Sequence, residues 1–255
     1  MILFEYWSLV KKLTLREIKS RYKQSFLGLF WVMLNPFFQM LIMSFVFSKI
    51  MRLGSLSVPY PVFLYAGLLP WTFFSVSLSS SMDVFFANSS LIKKIYFPRQ
   101  ILVLSTMLAK AFDFILASLI FFGLMVYYGV PFSWFIVLFI PIYILHFIFT
   151  YSLALLLASL NLFYRDIQYL FNLVLTLWFY LTPVLYSVDF FPERYRWIFK
   201  FNPMSVFINA YRQVLLGGDW PSWSSLGVGV LVTALLFIIA NVIFHKLQKS
   251  FADVV

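Results

Sequence analysis

The chain has 255 residues, of which 63% are hydrophobic and only 11% charged, with a mean hydropathy of +0.93, so it cannot furnish the polar surface of a soluble domain and must use lipid as its solvent. It contains no cysteine, which excludes disulfides, thiol catalysis and zinc–thiolate centres. A net charge of +10 would suit nucleic acid, but the basic residues flank apolar runs, the pattern of membrane topology and anionic lipid.

From the N-terminus, residues 1–7 lack the basic region and small-residue cleavage site of a signal peptide, so this end is expected to be retained. Lys12, Arg16, Lys19 and Lys23 then recur at spacings of four, three and four, which aligns them on one helical face. Tyr6, Leu9, Val10, Leu13, Leu15, Ile18 and Tyr22 supply apolar material on other faces. Residues 1–28 read as an amphipathic helix lying along the cytoplasmic leaflet. A solvated charged helix leading into the first span is the alternative.

A bilayer core is crossed by about 20 apolar helical residues. Six runs qualify: residues 29–48, 62–82, 101–128, 134–164, 167–188 and 224–244. They are continuous rather than alternating, which argues against strands. The predicted fold is therefore an all-α integral membrane domain over residues 29–255 with six transmembrane helices. Lys110 and Asp113 lie in the first half of the third run, where they can pair at i and i+3. The preferred reading starts that span late, at Ala109, with Lys110 snorkelling to the cytoplasmic interface.

With the N-terminus inside, the cytoplasmic segments hold the six basic residues before Gly28 together with Lys93, Lys94, Arg99, Arg165, Lys246 and Lys249. The outer segments hold Lys49, Arg52, Arg194, Arg196, Lys200 and Arg212, half as many, so both termini are placed inside. Between the last two runs, Met204 to Gly217 is apolar but too short to cross, preceded by Pro203 and closed by Gly217–Gly218. It predicts a re-entrant hairpin over residues 189–219 dipping in from outside, in which Arg212 needs a polar neighbour.

Catalytic signatures are missing. There is no G-x-x-x-x-G-K-[ST] phosphate loop, no H-E-x-x-H and no G-x-S-x-G, and the nine acidic residues form no D-x-D. His146 stands alone in its span and reads as a packing histidine, so no metal site is expected. Asn35 and Gln39 flank Pro36 one turn apart; helix–helix hydrogen bonding is favoured for them over substrate contact. Aromatic residues make up 22% of the chain, more than an interfacial belt calls for, and flat rings suit the C–H faces of sugars.

One stretch breaks the pattern: SLIKKIYFPRQ, residues 90–100, is compact, basic and proline-interrupted between two apolar runs. With RYKQSFLGLFWVMLNP (21–36), GLLPWTFFS (67–75), NLFYRDI (161–167) and FNPMSVFINAYRQVLL (201–216), it resembles the permease subunit of polysaccharide ABC exporters of the O-antigen, teichoic acid and capsule (Wzm) type. The likeness runs over essentially the whole chain. It implies a homodimer in the bacterial inner membrane, two copies of a cytoplasmic ATPase subunit that holds the ATP and Mg²⁺, and a channel for lipid-linked polysaccharide at the dimer interface. This chain itself would bind no cofactor and catalyse no reaction. The resemblance makes residues 83–100 the coupling and cytoplasmic gate segment, with Asp83, Ser89, Ser90, Lys93, Lys94, Tyr96, Phe97, Pro98 and Arg99 as its working residues. Pro98 would end the coupling helix. Trp31, Tyr65, Trp71, Trp178 and Tyr180 are the channel-lining candidates, and Pro203, Arg212, Gly217 and Gly218 the periplasmic gate. The competing readings are a membrane-embedded glycosyl- or acyltransferase, which would need carboxylate or histidine pairs, and an ion-coupled transporter, which would need intramembrane carboxylates and internal repeats.

Overall fold

The computed structural model describes residues 6–22, 28, 30–50 and 58–251, and all regular structure among them is helical. In chain order the helices are α1 (Trp7–Tyr22), α2 (Phe30–Ser44, continued by a π-turn over Phe45–Ile50), α3 (Tyr60–Met82), α4 (Val84–Ala87), α5 (Ser89–Lys94) and α6 (Gln100–Tyr127). There follow α7 (Phe139–Phe163, led in by a 3-10 turn), α8 (Asp166–Leu181), α9 (Glu193–Phe201), α10 (Pro203–Arg212, continued by a π-turn to Gly217) and α11 (Trp223–Leu247). Helices satisfy their own backbone groups, which hydrocarbon demands of any spanning segment. Five described segments are long and apolar enough to cross: Phe30–Ser48, Tyr60–Met82, Gln100–Tyr127, Trp134–Phe163 and Trp223–Ser250. The chain is a multi-pass all-α membrane protein.

The fifth predicted run, residues 167–188, forms a helix only from Asp166 to Leu181. Its 16 residues reach about 24 Å, short of the roughly 30 Å hydrocarbon core. Pro183 is the cause: it cannot continue a helix and drives Thr182 before it into an extended conformation, φ −105° and ψ 135°.

α3 is the hub. Most of its residues are buried and it packs against α2, α6, α7, α8 and α10, whereas α11 touches mainly α7 and buries only Gly229, Thr233, Ala240 and Phe244. α1 lies on the start of α6, burying Val10 and Leu13 while Lys12 and Lys19 stay exposed. The face drawn from the lysine spacing therefore holds through Lys19; Lys23 lies outside the described residues. α6, at 28 residues or about 42 Å, is longer than a bilayer core is thick. Lys110 is buried in the subunit rather than extended along its exterior, contrary to the snorkelling expected of it.

At one end of the bundle, the turn after α8 folds inward and is held by Arg212. Its guanidinium donates to the carbonyls of Pro183 (2.6 Å), Val184 (2.7 Å) and Tyr186 (3.4 Å) and lies 3.6 Å from the centroid of the Phe63 ring. The polar neighbour that Arg212 requires is thus main chain. Tyr60 adds a hydroxyl bond to the Leu185 carbonyl at 2.7 Å. The clamp needs Gly67, because a Cβ there would sit 2.6 Å from a guanidinium nitrogen and 3.2 Å from the Val184 oxygen.

Gly67→Ala forces that guanidinium aside, and Arg212→Met leaves buried carbonyls without donors, at about 1–3 kcal/mol for each group stranded. Both variants are expected to insert but to melt several degrees below the parent in detergent, with Arg212→Met the worse. A parental melting temperature for Arg212→Met would show that the clamp does not hold this end.

Candidate functional site

The basic, proline-broken segment lies at the opposite end of the bundle. Asp83 ends α3, and its carboxylate accepts from Gln168 Nε2 (2.7 Å) and from Asn161 Nδ2 (3.4 Å). Asn161 also donates to the Met82 carbonyl (3.0 Å) and accepts from the Gln168 main chain (3.1 Å). Arg165 lies 4.4 Å over the Phe86 ring, and Arg16 of α1 donates to Asn88 Oδ1. One short connection, α7 to α8, thereby grips the end of α3 and the start of the α4–α5 segment.

Ser89 and Ser90 open α5, which stops at Lys94; Ile95 is extended, and residues 95–98 form no regular structure. Pro98 does not end α5, as the resemblance led one to expect, but lies four residues past it and just ahead of α6, with its carbonyl accepting from Ile101 N–H at 3.0 Å. Its ring pushes Phe97 out of the helical region, so the break falls before it. Phe97 is buried, while Lys93, Lys94 and Ile95 are exposed and Tyr96 is 94% exposed. Arg99 donates to the Gln248 carbonyl just past the end of α11, where helix carbonyls carry partial negative charge, and its guanidinium lies 5.5 Å from the Phe251 ring. Phe251 is fully buried against Phe85, Phe244 and Phe163, with centroids 4.9, 5.7 and 6.0 Å away.

A second feature runs along the bundle. α2 exposes Trp31, Asn35 and Gln39 at i, i+4 and i+8, and α8 exposes Tyr169, Asn172, Thr176 and Tyr180 at i, i+3, i+7 and i+11. Between them α3 shows Thr72, Ser75, Val76 and Ser79 at its surface, and Ser79 donates to Asn172 Oδ1 at 3.1 Å. Ser75 and Thr176 spend their hydroxyls on their own helices, at the carbonyls of Thr72 (3.4 Å) and Asn172 (3.0 Å), but amides aimed at hydrocarbon are costly, so this strip is built to face water or polar groups. Of the predicted channel aromatics, Trp31 and Tyr180 lie on it. Tyr65 and Trp71 are inside the subunit, Tyr65 stacked on Phe121 and donating to the Ala117 carbonyl at 3.3 Å. Trp178 is half-buried and donates to Asn202 Oδ1 at 2.8 Å.

Asn202 also caps α10, accepting from Met204 N–H at 3.1 Å, with Pro203 at the first helical position. Beyond α10, Gly217 leaves open space around its Cα, whereas Gly218 is left-handed at φ 62° and approaches Ser133. Trp134, Trp220 and Trp223 are exposed at this end, an interfacial aromatic cluster. His146 packs as expected, stacked on Phe207 at 5.0 Å. Among the described residues no acidic or histidine cluster could hold a metal ion.

Residues 8–216 match the family described as ABC-2 type transporter, most of the chain. The chain belongs to this family. It is 32% identical over 250 residues to an O-antigen export system permease protein RfbA of Klebsiella pneumoniae, covering 97% of this chain and 95% of that protein. To the protein of the same name in Myxococcus xanthus it is 32% identical over 254 residues, covering 98% and 96%. To the polysialic acid transport protein KpsM of Escherichia coli it is 23% identical over 250 residues, 94% of each.

Sequence reading of this ABC-2 chain missed three groups of residues. Asn161 and Gln168 sit within or beside NLFYRDI, but their hold on Asp83 is a contact across the fold. Phe251 and Gln248 lie in an apolar-to-basic tail with no periodicity to mark them. Tyr169 and Thr176 lie in a run whose apolar length masks them, although Asn172 and Thr182 stand out in it as polar. We expect Arg99→Gln to free residues 95–98, so that chymotrypsin cleaves the detergent-solubilised protein after Tyr96 several-fold faster than the parent. An unchanged rate would mean that the tail does not restrain the segment.

Proposed function

We propose that this chain is the transmembrane permease subunit of an ABC exporter that carries lipid-linked polysaccharide, O-antigen above all, across the bacterial inner membrane. The observation that carries the reading is the polar and aromatic strip of α2, α3 and α8 on an otherwise lipid-suited surface. Full-length similarity to O-antigen export permeases supports the choice of cargo. Two copies facing each other through this strip would enclose a wet conduit in which rings slide past Trp31 and Tyr180, with Tyr65 and Trp71 backing the wall. The absence from the sequence of a phosphate loop and of paired catalytic groups favours a subunit that performs no chemistry. ATP and Mg²⁺ would then belong to a separate cytoplasmic ATPase, one copy on each half.

The basic end, with α1, residues 83–100 and both termini, is assigned to the cytoplasm, and residues 189–219 to the periplasm. α8 with the inward turn that follows it makes the sixth crossing, and α9–α10 form the re-entrant periplasmic gate. Lys93 and Lys94 meet the anionic carrier lipid at the leaflet, while Tyr96 and Ile95, exposed and unable to earn that position by packing, are the docking contacts for the ATPase.

The native chain is free of cysteine, so single introduced ones report cleanly. Tyr96→Cys should crosslink to the ATPase. Lys94→Cys should react with an impermeant thiol reagent only from inside, and Arg196→Cys only from outside. Outside labelling at position 94 of intact cells would overturn the topology and the exporter reading with it. Separately, Gly218→Val forces a β-branched residue into a left-handed conformation, about 1–2 kcal/mol unfavourable or more. Export is expected to fall while membrane insertion is kept; normal export would count against the hairpin as a gate.

A further inference from the structure

Beside the strip, α2, α3 and α6 enclose a cavity of about 270 Å³. Its polar lining comprises Asn35, Thr72, Lys110 and Asp113, and its apolar lining includes Phe73 and Phe114, with Trp31 at the exposed rim. Val32 lines it too, and Pro36, one turn on, has no N–H to offer the Val32 carbonyl. Lys110 is about nine-tenths buried, well within the length of α6. Ionisable groups inside a membrane domain are expensive and mark function more often than packing.

We infer that this cavity is a side pocket of the export path that receives a single neutral sugar ring of the passing glycan. The inference rests on the channel reading proposed above, and its test separates the two. An ammonium and a carboxylate one turn apart on one helix cancel as charges, so the pocket does not select an ion. Together with an amide, a hydroxyl and a carbonyl lacking its helical donor, they offer both donors and acceptors, which is what sugar hydroxyls require. A lipid chain drawn in would desolvate those groups and return nothing. The volume falls just below the roughly 300–1,000 Å³ of drug-sized sites, room for one ring and not for an oligosaccharide. The flat face of the half-exposed Trp31 suits the C–H side of such a ring, while Phe114, stacked on Tyr143, closes the inner end.

Two single-cysteine forms of the full-length protein test this: Thr72→Cys in the pocket and Thr176→Cys on the strip of α8. Alkylation by a small neutral maleimide is followed in permeabilised membranes of cells that make the glycan and of cells blocked in its synthesis. We expect the glycan to slow labelling several-fold at both positions. Slowing at 176 but not at 72 overturns the pocket and leaves the channel standing; slowing at neither overturns both. Slow labelling at 72 with and without glycan also overturns the proposal, since it would mean a closed or lipid-filled cavity. Adding Lys110→Met with Asp113→Asn removes the pair together and leaves no charge stranded. Labelling at 72 should then recover while protection at 176 persists, and persistent protection at 72 would show that the pair does not recognise the sugar.

Discussion

The constraint on which this fold turns is the burial of one guanidinium. Arg212 carries a permanent charge into the protein interior and is met there by the carbonyls of Pro183, Val184 and Tyr186 and by the face of Phe63. Those carbonyls are available because Pro183 ends α8 and the chain behind it runs irregularly; in hydrocarbon that stretch would be prohibitively costly. The two problems, an unhelical turn and a buried cation, cancel each other. α8 can stop short because the clamp accepts its loose end, and α10 can enter the bundle because its cation has somewhere to go.

Polar side chains elsewhere fall into two groups. Hydroxyls mostly spend themselves on their own helix: Thr150 on His146, Ser152 on Ile148, Ser159 on Leu155 and Thr233 on Gly229, all at 2.7–2.8 Å. Such residues say little about surroundings. Amides have more groups than one helical turn can satisfy, so where Asn35, Gln39 and Asn172 stand exposed on apolar helices they define a surface. The strip is recognisable because its amides are accompanied by rings rather than scattered among leucines.

Much of this could be read from the residues, and the limits have physical causes. Span existence follows from apolar length, a local property, and five of six runs have helices of spanning length. The exception failed at Pro183, which counting apolar residues ignores although its chemistry was plain. Pro98 shows the same lesson in reverse, since a proline between helices as readily begins one as ends one. Gly67 opens the GLLPWTFFS motif, but its purpose depends on Arg212, 145 positions away. The tail contact of Arg99 and the burial of Lys110 are likewise long-range, and no periodicity encodes them. Which aromatics face outward was the least legible, because on a helix with little asymmetry, such as α3, every face reads alike.

α6 has no interior proline, and its root is tied through Arg99 to the far end of the chain. An unbroken helix of about 42 Å resists compression along its axis. A displacement of residues 95–98 would then reappear as tilt or rise at Tyr127, beside the left-handed Gly129 that turns the chain back. Mechanical work done on one membrane face would reach the other through a single piece of secondary structure, with the Phe251 cluster as its fulcrum.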